Sequence, residues 1–138
     1  MPRFLDTNIL LRYFTGSGSE KALAAKVLLE RIEQSEEKVV ISVLVVFETI
    51  FTLQRTYKVP KVKIREMVGD VIALRGVQLT GKRLCLQALD LYVGKNISFA
   101  DAYNVIYMQS QQFSEIYSWD TDFDRIEGIT RIEPAQDM

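Results

Sequence analysis

Short runs of strand-forming apolar residues recur at wide intervals along this chain, and stretches with helical periodicity fill the intervals. Arg3-Phe4-Leu5, Val39-Val40-Ile41, Val77-Gln78-Leu79 and Glu115 to Trp119 are the candidate strands, with Thr130-Arg131-Ile132 a candidate edge strand. Short strands that alternate with helices imply βαβ crossovers, because parallel neighbours need a long connection and a helix supplies it. The expected fold is α/β, with a central parallel β-sheet flanked by helices on both faces.

The helices follow from apolar spacing. Asn8 to Phe14 reads as a short helix directly after the first strand, and Gly16-Ser17-Gly18-Ser19 breaks it. From Glu20 to about Glu36, Leu23, Val27, Leu28 and Ile32 recur at helical spacing and mark the expected buried face. Ser42 is a candidate N-cap for a largely buried helix from Val43 to about Tyr57. Pro60 can open a helix of about four turns, with Ile64, Met67, Val68, Val71, Ile72 and Leu74 as its apolar side. Gly81 to Val93 carries Leu84, Ala88, Leu89 and Leu91 at helical spacing, and Ser98 caps Phe99 to about Gln112. Tyr103, Tyr107 and Phe113 read as core, with base stacking as the alternative.

A chain of 138 residues can bury a core without disulfides, and no internal repeat or long linker divides it, so one domain over 1–138 is expected. The composition, 48% hydrophobic and 25% charged, is that of an ordinary globular protein. The single Cys85 sits between leucines and reads as core packing in a reducing compartment. A charge arrives too early after Met1 for a secretory segment, which points to the cytoplasm. The run from Val39 to Leu53 is polar-interrupted and too short to span a bilayer. A net charge of −1 argues against coating nucleic acid by bulk electrostatics and leaves room for a local basic groove. Lys58 to Arg65 holds basic residues and no acid; it reads as a solvated helix start, with phosphate contact as the alternative.

The chain has no histidine. That removes Ser-His-Asp and Cys-His nucleophile pairs, an imidazole general base and a histidine-ligated metal site. Oxygen ligands remain. Asp6, Glu48, Asp101 and Asp120 each sit where a candidate strand or helix meets an apolar stretch. Ligands of open parallel sheets bind beyond the carboxyl ends of the strands. Asp6 and Asp120 directly follow strands, the helix opened by Ser42 can turn Glu48 inward, and Asp101 lies in the first turn of its helix. Carboxylates brought together would repel and raise one another's pKa unless a hard divalent cation lay between them, so a magnesium or manganese site is the leading expectation.

Each acid also has a purely structural reading. Asp6 can cap the helix that follows it, Ser98 to Asp101 has the spacing of a capping box, and Asp120, Asp122 and Asp124 can be turn formers. Glu48 has Leu44, Val45 and Phe51 as helical neighbours, and its structural reading is an ion pair with Arg55. Asn8, Ser98 and Ser118 are small polar neighbours suited to orienting the acids, or simply caps and turn formers.

In order and context, Phe4-Leu5-Asp6-Thr7-Asn8, Glu48 in an apolar helix, Phe99-Ala100-Asp101-Ala102 and Ser118-Trp119-Asp120-Thr121-Asp122-Phe123 resemble the PIN-domain family, and within it the VapC-type toxin ribonucleases. The resemblance implies that Asp6, Glu48, Asp101 and Asp120 form a metal-binding set, with Asp122 a fifth member and Asn8 and Ser118 as polar supports. It further implies an endoribonuclease dependent on Mg2+ or Mn2+, an RNA substrate, homodimers and an antitoxin whose tail occupies the groove. Ser118 stands where many relatives have Thr, and Trp119 is bulkier than is usual there. Two other functions compete: a non-catalytic partner-binding protein on the same fold, and phosphoryl transfer through Asp6. The second expects a late lysine, and no lysine follows Lys95.

Overall fold

The structure, a computed structural model, describes residues 1–135; the last three residues of the expected 1–138 domain lie outside the described residues. The element order is β1 (Arg3–Phe4), α1 (Thr7–Thr15), α2 (Glu20–Glu33), β2 (Val39–Ile41), α3 (Val43–Arg55), α4 (Lys61–Ala73), β3 (Val77–Leu79), α5 (Lys82–Gly94), α6 (Phe99–Ser110), β4 (Glu115–Tyr117), a 3-10 turn (Thr121–Arg125) and β5 (Thr130–Ile132). The chain is thus α/β, as its alternating pattern implies.

Every strand pair is parallel. In the first sheet β2 lies between β1 and β3, with Arg3 opposite Val39 and Val39 opposite Val77. β4 and β5 form a separate two-stranded ladder. Val39, Ile41 and Val77 are buried, which is why these β-branched runs stand out as strands. Around them Ile32, Val46, Ile50, Leu53, Ile64, Ile72, Leu89 and Val105 close the core, each almost inaccessible. Cys85 is fully buried within it, and burial pushes its thiol up to about 11.

Two helical faces differ from the sequence expectation. α2 buries Ala22, Ala25, Leu29 and Ile32, whereas Leu23 and Val27 face outward. The cause is close approach. Gly16 lies so near that a Cβ there would fall 2.5 Å from that of Ala22, and only small residues on α2 allow that contact. α3 buries Val45, Val46, Thr49, Ile50 and Leu53 while Leu44 and Phe51 are exposed, so it is half-buried rather than largely buried. Tyr107 and Phe113 are also exposed and not core; Tyr103 is partly buried. The Asp-rich turn after β4 winds into the 3-10 turn, and the strand before it stops at Tyr117 rather than Trp119.

Candidate functional site

Asp6 follows β1 in an extended conformation and caps α1, where its Oδ1 accepts the Thr7 N–H at 2.9 Å. The buried Thr7 then donates its hydroxyl to Glu48 Oε2 at 3.2 Å. Thr7 therefore ties the first acid of the chain to Glu48, 41 positions beyond Thr7 itself. Glu48 is exposed on the outer face of α3 and makes no ion pair with Arg55 among the described residues; the Arg55 guanidinium lies over the Phe51 ring at 5.5 Å instead.

Asp101 stands in the first turn of α6, and Ser98 Oγ, the cap of that helix, accepts its N–H at 3.1 Å. On the other side of the site Ser118 Oγ accepts the N–H of Asp120 at 2.9 Å, and Asp120 Oδ1 accepts the N–H of Asp122 at 2.9 Å. Each serine fixes the backbone of the acid it precedes. Asp101, Asp120 and Asp122 can each offer a carboxylate oxygen within 4.8 Å of the other two. Asp6 and Glu48 are not members of that trio. For Asp120 the capping reading and the clustered reading hold for the same side chain.

The Asp101 carboxyl is raised above the usual range. Burial is the largest cause, the Ser98 hydroxyl pulls the other way, and the charges of Asp120 and Asp122 add to the rise. Asp122 forms an ion pair with Arg125 at 3.2 Å. Arg125 also donates to the Asn96 carbonyl at 3.0 Å, so it braces the turn that carries Asp122 against the loop leading into α6. Lys61 donates to the carbonyl of Ile97 in the same loop at 2.8 Å, and its Nζ lies 4.5 Å from the centre of the Tyr92 ring. Burial lowers the Lys61 pKa, partly opposed by Asp122. Lys61 is therefore a brace rather than part of a freely solvated helix start.

Asp124 turns to Arg131, whose Nε and Nη2 meet its two oxygens at 3.0 and 3.3 Å, and it is not in the trio. Asn8 is exposed on α1, two residues after Asp6. The roles of Thr7, Arg125 and Lys61 were not visible in the sequence, since each depends on a partner some 30 to 41 positions away. A cavity of about 660 Å³ between α2 and α4 is lined by none of the five acids.

Fold and site together define a class: a parallel α/β domain in which the clustered ligand-type side chains, among the described residues, are carboxylates. The PIN domain model matches residues 3–129, and the chain belongs to that family. It is 23% identical over 135 residues to a VapC ribonuclease of Aquifex aeolicus (strain VF5), an alignment that covers 98% of both chains. No helix among the described residues is long and apolar enough to cross a membrane.

Proposed function

We propose that this chain is a metal-dependent endoribonuclease that hydrolyses RNA phosphodiester bonds, and that it is the toxin of a toxin–antitoxin pair. The observation that carries the reading is the trio Asp101, Asp120 and Asp122 within a PIN domain. The name of the Aquifex relative supports RNA as the substrate.

The donor set fits a hard divalent cation. All its ligand atoms are carboxylate oxygens; burial chiefly raises the Asp101 carboxyl, and the charges of Asp120 and Asp122 add a repulsion that a cation would relieve. Asp101, Asp120 and Asp122 would hold Mg2+ or Mn2+, with Asp6 and Glu48 completing the acidic set. Such an ion supplies Lewis acidity and charge neutralisation at a phosphodiester. The protein's own residues prepare the site. Ser98 and Ser118 hold the backbones of Asp101 and Asp120, Thr7 joins Asp6 to Glu48, and Arg125 keeps the Asp122 turn against the 95–97 loop. Asn8 is the polar support beside Asp6.

In this reading one domain spans the chain and works in the cytoplasm as a homodimer. An antitoxin segment bearing Arg or Lys inhibits it by occupying the carboxylates. The test is incubation with single-stranded and structured RNAs in manganese, magnesium or chelator. Cleavage that requires the metal is the expected result. RNA left intact under all conditions, or cleavage indifferent to chelator, refutes the reading, and binding without cleavage would favour a recognition module on the same fold.

A further inference from the structure

A groove of about 490 Å³ runs between α1 and α2 and begins at Asn8, two residues from Asp6. Its floor is apolar, with Ile9 from α1 and Ala25 and Leu28 from α2. Its rim is basic, with Arg12 on one side and Lys21 on the other. Asn8 and Arg12 are one turn apart on α1, and Lys21, Ala25 and Leu28 follow at helical spacing on α2, so the two helices present matched faces. Both rim cations are exposed, and neither enters an ion pair among the described residues. By contrast, Arg125, Lys61 and Arg131 are committed to carbonyls or acids of the scaffold.

We infer that this groove binds one nucleotide of the RNA beside the bond to be cut, an inference that rests on the ribonuclease reading above. Arg12 and Lys21 clasp a phosphate, the ribose and base lie over Ile9, Ala25 and Leu28, and the strand leaves past Asn8 toward Asp6. The assignment follows from charge and shape together. A polyanion approaching an acidic cluster needs cations close by, and a nucleotide pairs a charged group with a flat apolar face. A groove of about 490 Å³ suits one unstacked nucleotide rather than a duplex.

The experiment compares the parent chain with Arg12→Ala/Lys21→Ala, with Arg12→Lys, and with the exposed control Arg75→Ala. Binding of fluorescein-labelled single-stranded RNA is followed by anisotropy from 50 to 200 mM salt in chelator, and manganese-dependent cleavage is measured in parallel. Loss of the one phosphate contact that Arg12 and Lys21 share should lower the slope of log affinity against log salt by about 0.7, so that affinity falls about 2.6-fold less over this range than in the parent. In cleavage KM should rise while kcat stays within about twofold, the signature of lost uniform binding. Arg12→Lys and Arg75→Ala should keep the parent slope, and all variants should share its melting temperature. If the parent binds and cleaves RNA but the double variant keeps the parent slope, the groove assignment is wrong. If polyglutamate displaces RNA from the parent as well as unlabelled RNA does, and this depends on Arg12 and Lys21, the groove takes an acidic peptide and the assignment is likewise wrong. A parent that neither binds nor cleaves RNA overturns the ribonuclease reading itself, and this inference with it.

Discussion

Asp6 serves two purposes that a pair of substitutions can separate. As a cap it accepts the Thr7 N–H at 2.9 Å; on the proposed reading it also lends charge to the metal site. Asp6→Asn keeps an oxygen for the cap and removes the charge, whereas Asp6→Ala removes both. Loss of an N-cap typically costs about 0.5–2 kcal/mol. Here the bond reaches the first helical N–H rather than one deeper in the turn, and α1 is also held by packing on α2 and α3, so about 0.5–1 kcal/mol is expected. For a chain of this size that is roughly 2–4 °C in melting temperature. Asp6→Asn should melt with the parent in chelator, Asp6→Ala should melt lower by that amount, and both should lose manganese-dependent cleavage. The assay is thermal and urea unfolding in chelator beside single-turnover cleavage. An Asp6→Asn protein as unstable as Asp6→Ala, or one that still cleaves, would mean that the two roles have been wrongly divided.

Among the C-terminal acids, Asp120→Ala and Asp122→Ala should shift the manganese concentration for half-maximal cleavage upward by about 10–100-fold or more. Asp124→Ala, whose carboxylate is engaged by Arg131, should leave it unchanged, and equal losses from all three would refute the assignment. Asp101→Asn tests the crowding. Because the folded-state pKa of Asp101 is raised, the fold binds more protons than the unfolded chain just above the ordinary Asp range, and parent stability falls as pH rises through that window. In chelator the advantage of Asp101→Asn over the parent should therefore grow from acid to neutral pH; a gap that shrinks would show the wrong sign. Tyr92→Phe removes the hydroxyl that donates to Gln54 Oε1 at 2.6 Å, which should cost about 1 kcal/mol in urea unfolding. No change there would mean that water replaces the bond fully.

Much of the fold was legible because its signals are local. Val39–Ile41, a β-branched run, and Val77–Leu79, opened by a valine, are set between helical stretches, and both form strands at those residues. Ser42 and Ser98 cap the helices that follow them. Which face of a helix turns inward is less local. α2 carries one stripe through Leu23 and Val27 and another through Ala22 and Ala25, and hydropathy alone favours the larger side chains. The tight approach of Gly16 selects the alanines. In α3 the apolar residues surround the helix, so periodicity could not say that Leu44, Phe51 and Glu48 would share the exposed side. The acids stood out through motif and position, and the structure gathers Asp101, Asp120 and Asp122. The braces around them were silent in the sequence, because a hydroxyl or guanidinium that bonds a distant carbonyl leaves no periodic trace.

Those braces bear on how a chain of net charge −1 attracts a polyanion. The cations nearest the acid trio are already engaged: Arg125 with Asp122 and the Asn96 carbonyl, Lys61 with the Ile97 carbonyl, Arg131 with Asp124 and Glu133. A guanidinium saturated by carboxylate and carbonyl oxygens has few donors left for phosphate, and its field is largely cancelled by its partner. These groups therefore rigidify the site without drawing substrate to it. Arg12 and Lys21 enter no ion pair among the described residues and line the groove between α1 and α2, so removing them should weaken capture while the acid cluster and its braces stay intact. On the proposed reading, division of the cations into braces and captors lets one small domain hold several carboxylates close together and still present an attractive approach to RNA.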